Sequence, residues 1–402
     1  MKAISSVFVL TAFALAACGG GGGSPGTSDH CGNALGNGDT IISGPAMADS
    51  ISNFDSSFRS LTVHPTSPGI VYVGTEENGI LRSRDFGVSW QRLRAGLRHS
   101  GTAYPEIYDI AISSSDPNVL YAATTFGPGT ATGSDGPSIG GVYKSVDAGD
   151  NWKRINCGLP NASANAVYVS PLDASIALVG IGAGNATTSG GGFFSGGVFR
   201  TSNGGDNWQR VDAGDKDDIN IYFQLVARGD SDVYTFGLGH DLLANNAGLL
   251  HSTDNGDNWA SITSPANPLN IAYLTISADG QRIIANELDS FELRVSENAG
   301  AAWGINNPAY SPNGPIRISP HDKDAIVIAA NEDLWFSDDG LTSASQVVSG
   351  AAGFFEDIEF SPSDPQIIYA IARGYHLYRS DDGGTTFQFV IDLRTSVINV
   401  NP

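Results

Sequence analysis

SVDAGDNW, at residues 145–152, is one of seven similar short segments in this chain of 402 residues. The other clear copies are SRDFGVSW (83–90), TSNGGDNW (201–208), STDNGDNW (252–259) and SENAGAAW (296–303). Two more divergent copies are SDDGGTTF (380–387) and SDDGLTSA (337–344). A unit that recurs every 40 to 60 residues or so predicts a solenoid or a propeller, because one unit cannot bury its own apolar surface and must pack against a neighbour.

Each segment has the residues of a tight turn between two strands. Ser and Asp side chains bind nearby backbone N–H groups, and glycine adopts positive φ at little cost. Pairs of apolar residues such as Val142-Tyr143 and Leu377-Tyr378 precede the turns. Adjacent strand residues point to opposite faces, so these strands are predicted to belong to sheets covered on both faces. Two further strand-like runs precede each turn and one follows it, which gives four strands per unit.

The segment resembles the Asp-box, or BNR, repeat SxDxGxxW of sialidases, sortilin-type ectodomains and other β-propellers. Seven units of four strands predict an all-β fold, a seven-bladed β-propeller of four-stranded antiparallel blades over residues 56–402. We call each segment a box below. Five of the six tryptophans end a box, where a large ring is expected to fill the wedge between two blades. All boxes are therefore interpreted as scaffold.

The first 55 residues have the composition of an export signal and a tether. Residues 1–17 contain Lys2 and an apolar run that is too short to span a bilayer, which predicts a signal peptide. Leu15-Ala16-Ala17-Cys18 resembles a bacterial lipobox, which implies lipidation of Cys18, and Gly19 after it implies sorting to the outer membrane. Residues 18–55, with their glycine-rich start, are predicted to be a flexible tether that holds the propeller away from the lipid surface.

Two cysteines are left once Cys18 is assigned to the lipid. Cys31 and Cys157 can form a disulfide in an oxidising compartment, although two isolated thiols would have the same sequence signature. Neither has the spacing of a metal site. No calcium-loop pattern, catalytic elbow or phosphate-binding loop occurs, so the sequence predicts no metal and no cofactor.

The chain carries 42 acidic and 21 basic side chains and a formal net charge of -21. A negative field of this size repels phosphate backbones and anionic headgroups. We therefore expect no nucleic-acid partner, and membrane attachment through the lipid anchor alone.

Long irregular segments are predicted to lie on the propeller face opposite the boxes. Loops between second and third strands, and the connections between blades, share that face. They include residues 126–140, 182–196 and 237–246 and the connections 92–108 and 306–315. Long loops on a rigid scaffold commonly carry binding sites, so a protein or glycan ligand is predicted to bind this insertion-bearing face.

Polar and aromatic residues are predicted to ring the mouth of the central channel on the same face, just before the first strand of their blades. The predicted ligand-binding residues are Arg59, Tyr108, Asp109, Gln224, Tyr273, Glu356 and Asp357, with Phe223 beside them. Nearby loop positions add Arg98, His99, Tyr104, Glu106, Phe193, Phe194, His240, Asp241 and Tyr375. Aromatic rings beside carboxylates suit carbohydrate or peptide recognition; the alternative is that the rings only plug the channel.

A glycoside hydrolase is the alternative function. Residues 71–83 (VYVGTEENGILRS) resemble the first-blade segment of two-propeller, xyloglucan-cleaving hydrolases, which implies a catalytic role for Glu76, although this chain has one predicted propeller and Glu in place of Asp. Hydrolysis needs a second carboxyl group, and the candidates are Asp109, Glu356 and Asp357. Sialidase activity is not expected, since no FRIP-like motif occurs; Pro315-Ile316-Arg317-Ile318 is interpreted as a strand.

The sequence thus favours a lipid-anchored binding or scaffold propeller at the bacterial outer membrane or cell surface. Single-propeller photosystem II assembly-factor lipoproteins have a similar plan of lipobox, tether and seven blades, and sortilin ectodomains bind peptides on ten blades. These resemblances imply the fold and carry little information about the ligand.

Overall fold

Seven four-stranded antiparallel sheets make up this protein. The structure is a computed structural model. It describes residues 58–76, 78–98, 104–125, 139–160, 162–182, 184–185, 193–194, 196–212, 220–229, 231–239, 249–262, 271–287, 290, 292–351, 353–392 and 398–400. The predicted signal peptide and tether, including Cys18 and Cys31, lie outside the described residues.

The strands follow the chain blade by blade, from the innermost strand to the outermost. Blade 1 has β1 (Phe58–Val63), β2 (Val71–Thr75), β3 (Ile80–Ser83) and β4 (Trp90–Leu93). Blade 2 has β5 (Glu106–Ile112), β6 (Leu120–Thr125), β7 (Gly141–Ser145) and β8 (Lys153–Arg154). Blade 3 has β9 (Ala164–Val169), β10 (Ala177–Ile181), β13 (Gly197–Thr201) and β14 (Gln209–Arg210), with a small hairpin of β11 (Gly184–Asn185) and β12 (Phe193–Phe194).

Blades 4 to 7 repeat the same order. Blade 4 has β15 (Asn220–Arg228), β16 (Asp232–Gly239), β17 (Leu249–Ser252) and β18 (Ala260–Ser261). Blade 5 has β19 (Ile271–Ile276), β20 (Ile283–Glu287), β21 (Leu293–Ser296) and β22 (Gly304–Asn306). Blade 6 has β23 (Ile316–Ile318), β24 (Ile326–Ala330), β25 (Asp333–Ser337) and β26 (Ser345–Val348). Blade 7 has β27 (Phe355–Phe360), β28 (Ile368–Ala372), β29 (His376–Ser380) and β30 (Gln388–Asp392).

The first strands of the blades form a closed ring. Each contacts the first strand of the blade before it and of the blade after it, and β27 of blade 7 contacts β1 of blade 1. This arrangement is a seven-bladed β-propeller with the first strands around a central channel, as the sequence predicts. Pro315-Ile316-Arg317-Ile318 contains β23, also as predicted.

One apolar cluster fills each of the seven junctions between blades. At the junction of blades 2 and 3, for example, Tyr121, Ile155, Val179 and Trp208 pack together. Trp208 is 2% exposed, and its indole N–H donates to the carbonyl of Ile155 at 2.7 Å. Large rings packed between sheets remove much apolar surface from water, so the box tryptophans act as wedges between blades.

The boxes form the predicted turns between third and fourth strands. In SVDAGDNW, the Ser145 hydroxyl accepts the N–H of Gly149 at 2.8 Å, and Asp147 accepts the N–H of Asn151 at 2.8 Å. Ala148 and Gly149 have φ values of 56° and 91°. The divergent box SDDGLTSA (337–344) keeps the same geometry, since Leu341 donates its N–H to the Ser337 hydroxyl at 2.9 Å.

A fifth strand covers the outer edge of blade 1. β31 (Ile398–Val400) pairs in parallel with β4, with Ile398 opposite Trp90 and Val400 opposite Arg92. The end of the chain therefore docks next to the first blade by backbone hydrogen bonds at an otherwise open sheet edge.

Strand direction determines which loops share a face. The box turns and the hairpins between first and second strands lie together, and the loops between second and third strands lie at the opposite end with the blade connections. The described residues include no helix that is long and apolar enough to cross a membrane.

Candidate functional site

A recurring irregularity shapes the start of the innermost strands. In six blades the pairing of the first strand with the second skips one residue, and in blades 1, 2 and 7 these residues are Arg59, Tyr108 and Glu356. Such bulges re-aim side chains at sheet ends. The sequence prediction placed these residues just before the strands, and that was wrong: the strands begin earlier and continue through the bulge.

Residues that follow the bulge connect blade 7 to blade 1, blade 2 to blade 3 and blade 4 to blade 5. Asp357 accepts the N–H of Leu61 in blade 1 at 3.1 Å, and Asp109 accepts the N–H of Val167 in blade 3 at 2.9 Å. Gln224 accepts the N–H of Leu274 in blade 5 at 3.1 Å. These side chains satisfy backbone donors that the neighbouring strand cannot pair, so they stabilise the ring as well as lining the channel.

Three carboxylates from three blades surround one guanidinium at the channel mouth. Arg59 of β1 bonds Glu76 through Nη2, donates from Nε to Glu106 at 2.6 Å, and has Nη1 3.6 Å from Glu356. Glu356 also bonds Arg373. We call Arg59, Glu76, Glu106, Glu356 and Arg373 the mouth cluster. It lies on the face that carries the loops between second and third strands, because Glu76 and Arg373 follow second strands and Glu106 and Glu356 lie near the start of first strands.

Burial and charge act against each other in the mouth cluster. Burial disfavours the charged form of Arg59, but Glu106, Glu356 and Glu76 outweigh it and raise the pKa of the guanidinium. Burial raises the pKa of Glu106 to about 7, although Arg59 opposes the shift. Arg59 is therefore a fixed cation, and Glu106 changes charge near neutral pH.

Tyr108 lies beside the mouth cluster. The Arg59 guanidinium is 5.9 Å from the centre of its ring, within the range of a cation–π contact. Burial, together with the Glu106 charge, raises the pKa of Tyr108. The phenol thus stays protonated and can donate a hydrogen bond to a ligand at the mouth.

A second charged group lies among the innermost strands. Arg317 of β23 donates to Asp357 at 2.8 Å, and its Nε is 3.6 Å from Glu359. Burial raises the pKa of Asp109 to about 7 and that of Glu359 to about 8, the latter in spite of Arg317. We call Arg317, Asp109, Asp357 and Glu359 the inner cluster. The inner cluster has one guanidinium for three carboxyl groups. Burial therefore keeps some of these carboxyl groups protonated at neutral pH.

The structure brings most of the predicted site residues together. Arg59, Tyr108 and Glu356 are at the mouth, and Asp109 and Asp357 are in the inner cluster. Burial, together with the charges of Glu356 and Asp357, raises the pKa of Tyr273. Tyr273 therefore interacts with one acid of each cluster. Gln224 belongs to the ring of contacts between blades but has no described contact with either cluster.

Other predicted positions have different outcomes. Tyr375 is fully buried, and its hydroxyl accepts from Asn78 at 3.1 Å, so it is a packing residue. Tyr104 lies 4.5 Å from the Arg94 guanidinium. His99, His240 and Asp241 lie outside the described residues, as do the side chains of Phe193, Phe194 and Phe223. Cys157 is disulfide-bonded, but its pairing with Cys31 stays a prediction because Cys31 is not among the described residues.

Three charged residues of the two clusters were missed by sequence reasoning. Arg317 was interpreted only as part of a strand, and Glu359 and Arg373 were not singled out. The one available signal was alternation: Arg317, Asp357 and Glu359 are polar residues that alternate with apolar ones in innermost strands, as expected for side chains that face a channel. In the part of the chain that the structure describes, no group of three or more His, Cys, Asp or Glu residues is placed to hold a metal ion.

Solved structures with similar folds include enzymes and binding proteins. A GH74 xyloglucanase from Xanthomonas campestris superposes with a TM-score of 0.62 and 15% identity, over 85% of this chain and 55% of that chain. YCF48 bound to D1 peptide superposes with a TM-score of 0.56 and 16% identity, over 81% of this chain and 93% of that chain. The WD40 repeats of RRP9 superpose with a TM-score of 0.54 and 12% identity, over 82% of this chain and 92% of that chain. The likeness is one of fold.

These similarities do not assign an activity. The chain spans about half the length of the GH74 enzymes that it matches, 55% of one and 46% of another. No protein-family model matches the sequence, and no curated protein matches it. At identities of 16% or less a shared propeller carries little information about function, so the site itself has to supply the argument.

Proposed function

We propose that this protein is a lipid-anchored extracytoplasmic propeller that binds a segment of a partner protein at its insertion-bearing face, with the mouth cluster as the main contact. The observation that carries the proposal is the convergence of Glu76, Glu106 and Glu356 on Arg59. Three blades contribute charged side chains to one point on a rigid ring, and such fixed polar groups suit directional recognition.

The engagement of the carboxylates favours binding over hydrolysis. A glycoside hydrolase needs one carboxyl group that donates a proton and a second that acts as nucleophile or base. Glu76 and Glu356 are bonded to arginines. Asp109 and Asp357 accept backbone N–H groups of neighbouring blades. Each of the four predicted catalytic candidates therefore already has a structural contact.

The charges of the mouth cluster indicate which peptides fit. It contains two guanidinium groups and three carboxyl groups, and Arg373 is 46% exposed. A partner segment can donate to Glu356 or accept from Arg373, and Tyr108 adds an aromatic surface. Among the structural neighbours, YCF48 bound to D1 peptide supports a peptide as the ligand; a glycan remains the other ligand class.

A paired peptide and glycan array tests the proposal. The mature domain is compared with the Glu356→Gln variant and with a variant in which loops 126–140 and 182–196 are shortened. We expect specific peptides to bind the parent domain and to lose about tenfold or more in affinity in the Glu356→Gln variant. Binding that is unchanged in both variants would contradict the placement, and binding to glycans alone would replace the peptide by a sugar.

A glycoside hydrolase is a second candidate because of Glu106. Its pKa of about 7 is suited to a general acid, and Glu76 bonds the same guanidinium. Incubation with xyloglucan oligosaccharides, analysed by mass spectrometry of the products, tests this function. Cleavage that disappears in the Glu106→Gln variant would favour the enzyme, and intact oligosaccharides would exclude this activity.

The lipid anchor is tested separately. Residues 1–18 support export and acylation at Cys18. The full chain expressed in a Gram-negative host is expected to fractionate with the outer membrane, and the Cys18→Ala variant is expected to leave it. A parent protein that is not acylated by mass spectrometry would contradict the anchor and leave the mouth cluster unaffected.

A further inference from the structure

Six of the seven junctions between blades are wedged by the last residue of a box. This residue packs against the preceding blade in each case, in the apolar cluster of that junction. The six rings are Trp90, Trp152, Trp208, Trp259, Trp303 and Phe387. The chain thus places the aromatic ring of a box at six of its seven junctions.

The junction of blades 5 and 6 lacks a box aromatic, although Tyr310 and Trp335 stack elsewhere in its apolar cluster with their ring centres 4.6 Å apart. The box of blade 6 ends in Ala344 instead of an aromatic residue. At this junction there is an open cleft of about 590 Å³, lined by Trp303 and Ile305 of blade 5 and by Leu341 and Thr342 of blade 6. The cleft therefore lies at the one junction whose box ends without an aromatic residue.

At the box of blade 6 an asparagine side chain replaces the hydrogen bond of the missing indole, but among the described residues no side chain replaces its ring. In blades 1 and 4 the indole N–H donates to the carbonyl of the fifth box residue, at 2.8 Å for Gly87 and 3.1 Å for Gly256. The same carbonyl in blade 6, that of Leu341, accepts the amide of Asn306 at 3.1 Å. Leu341 itself has φ of 73° where the other boxes have glycine, and its side chain lines the cleft.

Apolar and polar side chains share the walls of the cleft, because Trp303, Ile305 and Leu341 line it together with Asn298, Thr342 and Glu297. Ile305 is 58% exposed on the outermost strand of blade 5. Glu297, also at the cleft, is bonded to Arg282 at 2.8 Å. A neutral planar ring can cover this surface without leaving a charge unpaired, which a charged ligand cannot do.

We propose that the cleft between blades 5 and 6 binds an aromatic side chain of a partner protein. The six filled junctions identify the occupant, because each holds an aromatic ring between the same structural elements. Blade 1 shows that an extended segment docks on the edge next to a box tryptophan, since Ile398–Val400 pairs with β4 there. The site is on the side of the boxes and is independent of the mouth cluster.

Indole and N-acetyltryptophanamide are the probes for the first test. Binding to the mature domain is measured by ligand-detected NMR. We expect the parent domain to bind both, and the Ala344→Trp variant, which supplies the missing ring, to bind at least about tenfold more weakly without a loss of Tm. The matched control, Phe387→Trp, changes a box aromatic at a filled junction and is expected to leave binding unchanged.

The Ile305→Lys variant covers the case in which Ala344→Trp does not fold. Ile305 is exposed, so the lysine is tolerated by the fold, and its charge at the cleft wall is expected to weaken indole binding about fivefold or more. Equal binding by the parent domain and by a folded cleft variant, or no binding by the parent domain, would overturn the proposal.

A displayed random-peptide library identifies the occupant. Peptides that bind the parent domain and not the Ala344→Trp variant are sequenced. Enrichment of Trp, Phe or Tyr at one position supports an aromatic side chain from a protein. Enrichment of peptides without aromatic residues overturns it, and so does a glycan that binds the parent domain and not the variant.

Discussion

The box turns and the mouth cluster occupy opposite ends of the same blades and use carboxylates in opposite ways. Each box Asp sits at the surface and accepts hydrogen bonds from its own turn, as Asp147 does from Asn151. The acids of the mouth are largely buried, come from different blades and share Arg59. The seven boxes share one local turn, with Asp at the third position in five of them and Asn in two, whereas the mouth cluster brings side chains of three blades together.

The pKa shifts of the two regions have opposite signs. Burial alone would raise the pKa of Asp147, but hydrogen bonds from Asn151 and Ser145 lower it, and the same holds for Asp85, Asp254 and Asp382. Burial raises the pKa of Glu106 to about 7. A lowered pKa means that the folded state favours the charged carboxylate, and a raised pKa means that it disfavours it. The box carboxylates with lowered pKa values therefore stabilise the fold, and the charged form of Glu106 is costly, as is common at binding sites.

Removal of a box wedge is expected to have the largest effect on stability. Trp208→Ala leaves a cavity at the junction of blades 2 and 3 and removes the hydrogen bond to Ile155. We expect a loss of about 3 to 5 kcal/mol in the free energy of unfolding, measured by urea denaturation. The control, Val146→Ser, changes a 66% exposed box residue and is expected to stay within about 0.5 kcal/mol. Similar losses for both would show that the ring is not a wedge.

Loss of the central guanidinium tests the other region. Arg59→Met leaves three carboxyl groups without their shared cation, and we expect a loss of about 2 to 3 kcal/mol at pH 8. The loss should shrink at pH 5, because Glu106, whose pKa is raised to about 7 by burial, is then protonated. Arg373→Met removes a more exposed cation and should cost less than about 1 kcal/mol. An Arg59→Met effect that does not depend on pH would contradict the electrostatic explanation.

A comparison of a box glycine with a glycine outside the boxes separates the cost of backbone strain from the cost of lost packing. Gly149 has φ of 91°, and a Cβ there would lie 2.8 Å from the Leu93 side chain. Gly229 has φ of 60° and nothing within 4 Å of such a Cβ. Gly149→Ala is expected to cost about 2 kcal/mol, and Gly229→Ala about 1 kcal/mol from the backbone alone. Equal losses in thermal unfolding would mean that box packing adds nothing.

The smallest predicted effect concerns pH. Glu106 and Asp109 have folded-state pKa values of about 7, above those of the unfolded chain, so the folded state binds more protons between roughly pH 4 and pH 8. Stability should therefore fall as the pH rises from 5 to 8. Glu106→Gln should reduce this slope and gain about 1 kcal/mol at pH 8. Below pH 4 the box carboxylates lose their contribution as they take up protons. A stability that rises from pH 5 to pH 8 would contradict the burial of these acids.

The propeller could be predicted from the sequence because its determining residues recur locally. Ser, Asp, Gly and Trp of one box lie within eight residues of each other, as in SVDAGDNW, and each contact of the turn is short-range. The mouth cluster is different, because Glu76, Glu106 and Glu356 are brought to Arg59 by closure of the ring. Their residue types could be singled out, but the pairing could not.

Arg317 and Ala344 are two residues whose structural roles could not be predicted from the sequence. Arg317 lies in a short strand whose apolar neighbours predict burial, and only the approach of Asp357 from blade 7 shows its role in the channel. Ala344 made the box of blade 6 look merely divergent. The open cleft at the same junction depends on the positions of Asn306 in β22 and Leu341 in the box turn, which only the structure shows.

The most direct test of the account compares one residue from each region on the same ligand. A peptide selected on the parent domain is measured for affinity, and each protein for Tm, with Glu356→Gln at the mouth and Asp147→Asn in a box, all in an Ala344→Trp background to exclude the cleft. We predict that Glu356→Gln loses about tenfold or more in affinity with little change in Tm, and that Asp147→Asn lowers Tm and keeps the affinity. Affinity that falls in the box variant and is retained in the mouth variant would contradict the account.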